Sequence, residues 1–187
     1  MTHADSISDR VRLCAARIAE SGASALSGLF DLTAQRLVRF AVTITRNQHD
    51  AEDAVQTALV RVVGDCYLLQ RADCPWAYLL RMVRNEALLV LRRKRRWSLL
   101  ENISDLLTRR SVDLLEQEDT FRAVWIALRK LPVEQSEVVV LKIWEELTFA
   151  QIGEILAISP STAASRYRYA LEKLASQLGS FQVEVTS

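Results

Sequence analysis

The chain has 187 residues, is 50% hydrophobic and 25% charged, and contains only 5 Gly and 3 Pro. That composition provides a real core with little turn punctuation, so it predicts mostly helix and disfavours disordered, collagen-like and repeat-rich β classes, whose turns need more Gly, Pro and Asn. The formal net charge of +1 is a cancellation: residues 76–96 hold seven Lys/Arg against one acid, Glu86, while 97–119 hold six acids against two Arg. A basic block followed at once by an acidic one is either a solvated helix end with a linker, or a nucleic-acid surface beside a tether.

The first element read from the pattern is a helix through Leu26, Leu29, Phe30, Leu37, Phe40, Ala41 and Ile44, whose spacings of three and four residues mark one apolar face. A break is expected at Arg46-Asn47-Gln48-His49. Asp50-Ala51-Glu52-Asp53 then opens a second helix, since carboxylates in a first turn favour the positive end of the helix dipole, and it is predicted to run to about Val63. Gly64 to Pro75 reads as a loop ending where Pro75 can occupy a helix start. In the helix that follows, Trp76, Leu79, Leu80, Val83, Ala87 and Leu91 form an apolar stripe, leaving Tyr78, Arg81, Asn85 and Arg92 on another face. The run Arg92-Arg93-Lys94-Arg95-Arg96 ends it.

Beyond the leucine-dotted acidic segment a second unit is expected from Thr120. Phe121, Val124, Trp125 and Leu128 mark a helix that stops before Pro132, and Val138, Leu141 and Trp144 mark the next. Phe149 to Ala157 is predicted as a helix, Ile158-Ser159 as a tight turn, and Ser159 and Pro160 as cap and first residue of the last helix. In that last helix Ala163, Tyr167, Ala170, Leu171, Leu174 and Leu178 form the expected buried stripe.

Met1 to Ser6 lacks a basic start with a following apolar run, and no apolar run approaches a membrane span, so a cytoplasmic chain is expected. Cys14, Cys66 and Cys74 are odd in number and never spaced C-x-x-C, and the histidines are His3 and His49, so buried or incidental thiols are expected rather than a zinc site or a disulfide framework. No cofactor is expected.

Two stretches carry chemistry. Residues 149–178 have helix-turn-helix spacing, with a small residue, Gly153, where two helices approach. Ser161, Thr162, Ser165, Arg166 and Tyr169 face away from the stripe of the second helix, suited to phosphates and base edges in a major groove. An ordinary helical hairpin with a polar face shares much of this pattern. In 76–96, Tyr78 among Arg81, Arg84 and Asn85 combines a stacking surface with phosphate neutralisation, as opened or single-stranded DNA requires. A core tyrosine and a solvated helix end are the plainer alternatives.

These pieces in this order resemble bacterial RNA polymerase sigma factors of the small, two-domain extracytoplasmic-function (ECF) class. Asp50 to Arg61 looks like the family's helix that docks on core polymerase, Pro75 to Asn85 with Leu91-Arg92-Arg93 like its helix for the −10 promoter element, and Leu128 to Leu141 with Thr148 to Ser159 and Ser165-Arg166-Tyr167 like its −35-binding domain. The resemblance implies an all-α chain: a domain over 9–96, an acidic linker over 97–119, and a wingless helix-turn-helix domain over 120–180. It implies core polymerase contacts at Asp50, Glu52, Asp53 and Gln56, and −10 DNA contacts at Tyr78, Arg81, Arg84, Asn85, Arg92 and Arg93, with the 64–75 loop holding an extruded base. At the −35 element it implies contacts from Ser161, Thr162, Ser165, Arg166 and Tyr169. The implied partners are core RNA polymerase and promoter DNA, with an anti-sigma protein admitted. Family members commonly carry Trp, Asp, an acid and Lys where Tyr78, Leu89, Thr57 and Ala164 stand here.

A helix-turn-helix repressor or activator is the competing class, and it leaves Asp50 to Arg61 and Tyr78 to Arg96 without a role. A DNA-acting enzyme would need a Gly-rich phosphate loop, clustered His/Cys ligands or an activated nucleophile, and the sequence offers none of these.

Overall fold

The computed structural model describes residues 3–100 and 119–185. Contacts divide the chain into two units, Met1–Val112 and Asp113–Ser187. Most of the acidic segment, 101–118, lies outside the described residues, and so does its expected docking. The helix entering that segment continues to Leu100, four residues past Arg96.

The first unit consists of α1 (His3–Ser21), a 3₁₀ turn (Gly22–Ala25), α2 (Leu26–Thr45), α3 (Gln48–Gly64), α4 (Tyr67–Arg71) and α5 (Pro75–Leu100). The sequence reading assigned nothing ahead of Leu26, yet Ile7, Val11, Ala15 and Ile18 are buried along one face of α1. Leu29, Leu37, Phe40 and Ile44 of α2 are likewise buried. They share the core with Trp76, Leu79, Leu80, Val83 and Ala87 of α5, all fully buried. Each large side chain so enclosed contributes about 1.5–3 kcal/mol. On α3 the inward positions are small, with Ala51, Ala54 and Ala58 beside Val55, Leu59 and Val62. Small residues let helix axes approach and bring charged rims within reach of one another.

The turn between α2 and α3 is shorter than predicted. Arg46 adopts a left-handed conformation (φ 57°) and its amide bonds to the Val42 carbonyl, closing α2. The Asn47 side chain then accepts from the Asp50 amide at 3.0 Å. This cap, typically about 1 kcal/mol, starts α3 at Gln48 rather than at Asp50. The expected 64–75 loop also contains a helix, α4, around buried Leu69. Five residues are too few for a periodic signal to stand out.

In the second unit, α6 (Asp119–Lys130), α7 (Val133–Ile143), α8 (Phe149–Leu156) and α9 (Pro160–Val185) follow one another through short turns. Its core comprises Ala127, Leu128, Val138, Leu141, Leu147, Ile152, Ile155, Ala163, Ala170 and Leu174. Trp125 and Trp144 lie 5.6 Å apart between ring centroids. Leu171 departs from its expected place in the stripe and is 39% exposed. The inward face of α9 is set by Ala163, Tyr167, Ala170 and Leu174, and Leu171 sits at its rim, about 40° beyond Tyr167. No helix among the described residues is long and apolar enough to cross a membrane.

Candidate nucleic-acid interface

Three polar surfaces carry the predicted site residues. On α5 the buried stripe fixes the opposite face. At about 100° per residue, Tyr78, Arg81, Asn85, Leu89 and Arg92 fall on one strip, with Arg84 at its margin. Tyr78 and Arg84 are half-buried, while Arg81, Asn85 and Arg92 are exposed. The Arg81 guanidinium lies 4.9 Å from the Tyr78 ring centroid, a cation–π pair that covers part of the ring and holds it in place. A planar, partly shielded aromatic next to exposed guanidinium groups is suited to stacking a base while neutralising phosphates. Half-buried Leu89 interrupts this strip with an apolar side chain, where the resemblance leads one to expect an Asp.

The run of five basic residues is not one surface. Arg92 continues the Tyr78 strip, but Arg93 and Lys94 line an open groove between α5 and α3, about 470 Å³ in volume, together with Asp50, Asp53, Gln56, Thr57 and Val90. Lys94 Nζ donates to Asp50 Oδ2 at 2.7 Å. A second ion pair joins the same helices where exposed Arg61 meets buried Glu86. The one acid in the basic block is thus a partner for α3.

That arrangement separates the four α3 candidates. The Asp50 side chain is only 11% exposed and its carboxylate is tied to Lys94. It braces two helices and does not stand open on the outer surface. Glu52 is half-buried, accepts from Gln48 Nε2 and lies near His49. Asp53 and Gln56 are exposed, and Thr57 Oγ1 donates to the Asp53 carbonyl at 2.8 Å. An acid at that position would lack this intrahelical bond.

In the second unit the geometry begins with caps. Thr148 and Gln151 form a capping box at the start of α8, each side chain bonding the other residue's amide. Ala157 closes α8 in a left-handed conformation (φ 56°). The Ile158 amide bonds back to the Gly153 carbonyl at 3.0 Å, and a Cβ built at Gly153 would lie 2.7 Å from the Ile158 carbonyl oxygen. Gly153 is therefore required by the backbone of the turn, and not by an approach of helix to helix. Ser159 Oγ accepts from the Thr162 amide at 3.1 Å, capping α9 as expected. The same oxygen lies 2.9 Å from Ser161 Oγ and 2.8 Å from Thr162 Oγ1.

Ser161, Thr162, Ser165 and Tyr169 fall away from the buried stripe of α9, and Arg166, one turn from Ala163 and Ala170, lies at its margin. All but half-buried Arg166 are exposed. Arg168, which the sequence reading passed over, places its guanidinium 5.0 Å from the Tyr169 ring centroid. Its signal was an arginine one residue before an outward aromatic. The two Tyr–Arg pairs, 78/81 and 168/169, are absent from any short-motif reading because cation–π contact depends on side-chain direction.

Comparison with known proteins agrees with this division. Residues 29–97 match the family described as Sigma-70 region 2, and residues 121–174 match Sigma-70, region 4. The RNA polymerase sigma factor CarQ of Myxococcus xanthus is 29% identical over 172 residues, covering 90% of this chain and 98% of CarQ. The RNA polymerase sigma-E factor of Streptomyces avermitilis is 31% identical over 146 residues, covering 77% of this chain and 79% of that protein. Among solved structures, the sigma factor RpoE of Bartonella quintana, crystallised with the anti-sigma factor NepR, has a similar fold. Its TM-score is 0.62 at 22% identity, covering 80% of this chain and 94% of RpoE.

Proposed function

This chain belongs to the sigma-70 family of RNA polymerase sigma factors, in its ECF class, and we propose from that premise how its surfaces divide the work. It directs core RNA polymerase to promoters, and its partners are the polymerase and promoter DNA. A repressor or activator acting without replacing sigma has no use for region 2 and is not favoured.

The observation that carries the division is the strip on α5. Tyr78, Arg81, Asn85 and Arg92 stand together, backed by a fully buried core face, and we assign this strip, with Arg84 and Arg93 at its margins, to −10 DNA. Stacking on Tyr78 and base capture by the 64–75 segment offset the cost of unstacking, a few kcal/mol per base. The duplex is thereby opened by binding energy and needs no catalysis from this chain. Glu52, Asp53 and Gln56 on α3 face core polymerase, and Asp50 supports them from beneath through Lys94. Ser161, Thr162, Ser165, Arg166 and Tyr169 on α9 read the −35 element in a major groove. Residues 9–96 and 120–180 thus act as two modules joined by 97–119. The chain works in the cytoplasm with the polymerase, and an anti-sigma protein, such as the one RpoE was crystallised with, is a fitting inhibitor.

The decisive experiment adds purified protein to core RNA polymerase stripped of sigma factors. Transcripts starting at defined promoters are the expected outcome. Failure to bind core would overturn the proposal.

A further inference from the structure

The 64–75 segment, to which the proposed function gives the extruded base, is held from outside region 2. The family match begins at residue 29, yet several polar side-chain contacts to this segment come from α1. The Arg12 guanidinium donates through Nη2 to two successive carbonyls, Ala72 at 3.0 Å and Asp73 at 3.3 Å. Gln70 Nε2 donates in the other direction, to the Ala15 carbonyl at 3.1 Å. Ser8 Oγ meets Cys74 Sγ at 3.2 Å. These links span 55 to 66 residues of sequence, and they lie along the same helix that buries Ile7, Val11, Ala15 and Ile18.

We propose that α1 is the back wall of the base-holding segment and that Arg12 is a positioning residue for promoter recognition at the −10 element. The carbonyls of Ala72 and Asp73 follow directly after α4 (Tyr67–Arg71), where the backbone has no intrahelical donor to meet. One guanidinium nitrogen shared between both carbonyls fixes the peptide planes that lead from α4 into Pro75. Charge-assisted bonds of this kind are the stronger ones. With α1 gripping one side, the Tyr67, Leu68, Arg71 and Asp73 side chains remain exposed on the segment. A held segment presents a base pocket of constant shape, and discrimination between bases depends on that constancy. Arg12 touches neither DNA nor polymerase in this arrangement. It acts through the segment it holds.

The inference rests on the base-holding role proposed above, and one assay separates the two. Holoenzyme is assembled with full-length protein and promoter DNA carrying 2-aminopurine at successive positions of the −10 element. Wild-type protein should raise fluorescence at one position, and no rise at any position would overturn the base-holding role and the function of α1 with it. Given that rise, Arg12→Met should reduce it and should lower the preference for the native base at that position about tenfold, with affinity for core and thermal midpoint unchanged. Arg12→Lys keeps the charge and a single donor nitrogen but on a shorter stem, so it should restore only part of both. Gln70→Met should act in the same direction with a smaller effect. An unchanged base preference in Arg12→Met, or a loss matched by an equal loss of core affinity or folding midpoint, would overturn the positioning role.

Discussion

The two units each offer a helix face of mixed polar and aromatic character, but they support it differently. Helix α5 is enclosed over its first half: Trp76, Leu79, Leu80, Val83 and Ala87 are fully buried, ion pairs at Asp50–Lys94 and Arg61–Glu86 tie it to α3, and the segment ahead of it is bonded to α1. Helix α9 is capped at Ser159 after a turn that leaves no room for a Cβ at Gly153, and it buries Ala163, Ala170 and Leu174, while Ser161, Thr162, Ser165 and Tyr169 are exposed on it. The difference suits the proposed tasks. Opening a duplex costs a few kcal/mol per unstacked base, and the surface that offsets this cost must not yield. Reading an intact major groove requires only that a few side chains be presented in register. The aromatic pairs follow the same division, since Tyr78 is half-buried beneath Arg81 while Tyr169 is 49% exposed.

The strongest test of that contrast is removal of the ring at the centre of the braced helix. Trp76 is fully enclosed, with the Arg36 guanidinium 5.1 Å from its ring centroid. Trp76→Ala should destabilise the first unit by about 3–5 kcal/mol, and hydrogen exchange should speed in α2, α3 and α5 while α7 to α9 stay protected. Faster exchange in both units alike would break the comparison by making them one cooperative body.

Next in size is Gly153→Ala. Alanine is the better helix former by up to about 1 kcal/mol, but its Cβ would meet a backbone carbonyl at 2.7 Å, so a net loss of about 1–3 kcal/mol is expected. Affinity for an upstream-element duplex should fall with it. A stabilised second unit would show that the turn can shift to accept a methyl group.

Arg166→Ala should cost about 1–2 kcal/mol in upstream-element affinity, with loss of base preference confined to that element. The smallest effect separates neighbours in the basic run. Arg92→Ala should weaken binding to all promoters and lower the salt slope by about one phosphate contact, whereas Arg93→Ala, whose side chain lines the groove with Asp53, should change the slope less. Equal slopes for the two variants, measured by titration at several salt concentrations, would mean that the whole run lies along DNA.

Much of the fold was legible because its signals are local. Apolar residues spaced by three and four gave α2, α5 and the second unit's helices, carboxylates in a first turn gave α3, Pro75 and Pro160 gave two starts, and Ser159 gave a cap. What escaped was short or capped by a single side chain. Asn47 moved the start of α3 back by two residues, α4 has only five residues, and α1, whose stripe of Ile7, Val11, Ala15 and Ile18 was present to be read, was overlooked rather than hidden. Leu171 shows the opposite error, an apolar residue at the rim of the face assigned fully inward because its type fits.

By itself the sequence determined the class: an all-helical chain whose two motif-bearing stretches match sigma-70 regions 2 and 4. Helical period, caps and motif spacing are properties of neighbours along the chain, and the order of residues records them directly. Only the tertiary structure decided how charges were divided among tasks: Asp50 turned inward onto Lys94, Glu86 onto Arg61, Arg93 into a groove while Arg92 faces out, and Arg12 onto the backbone before Pro75. These pairings join residues far apart in sequence, such as 44 positions for Asp50 and Lys94 and 60 for Arg12 and Ala72. Buried apolar faces rotate each helix to its place, and the polar groups left at the rims find partners that no local pattern specifies.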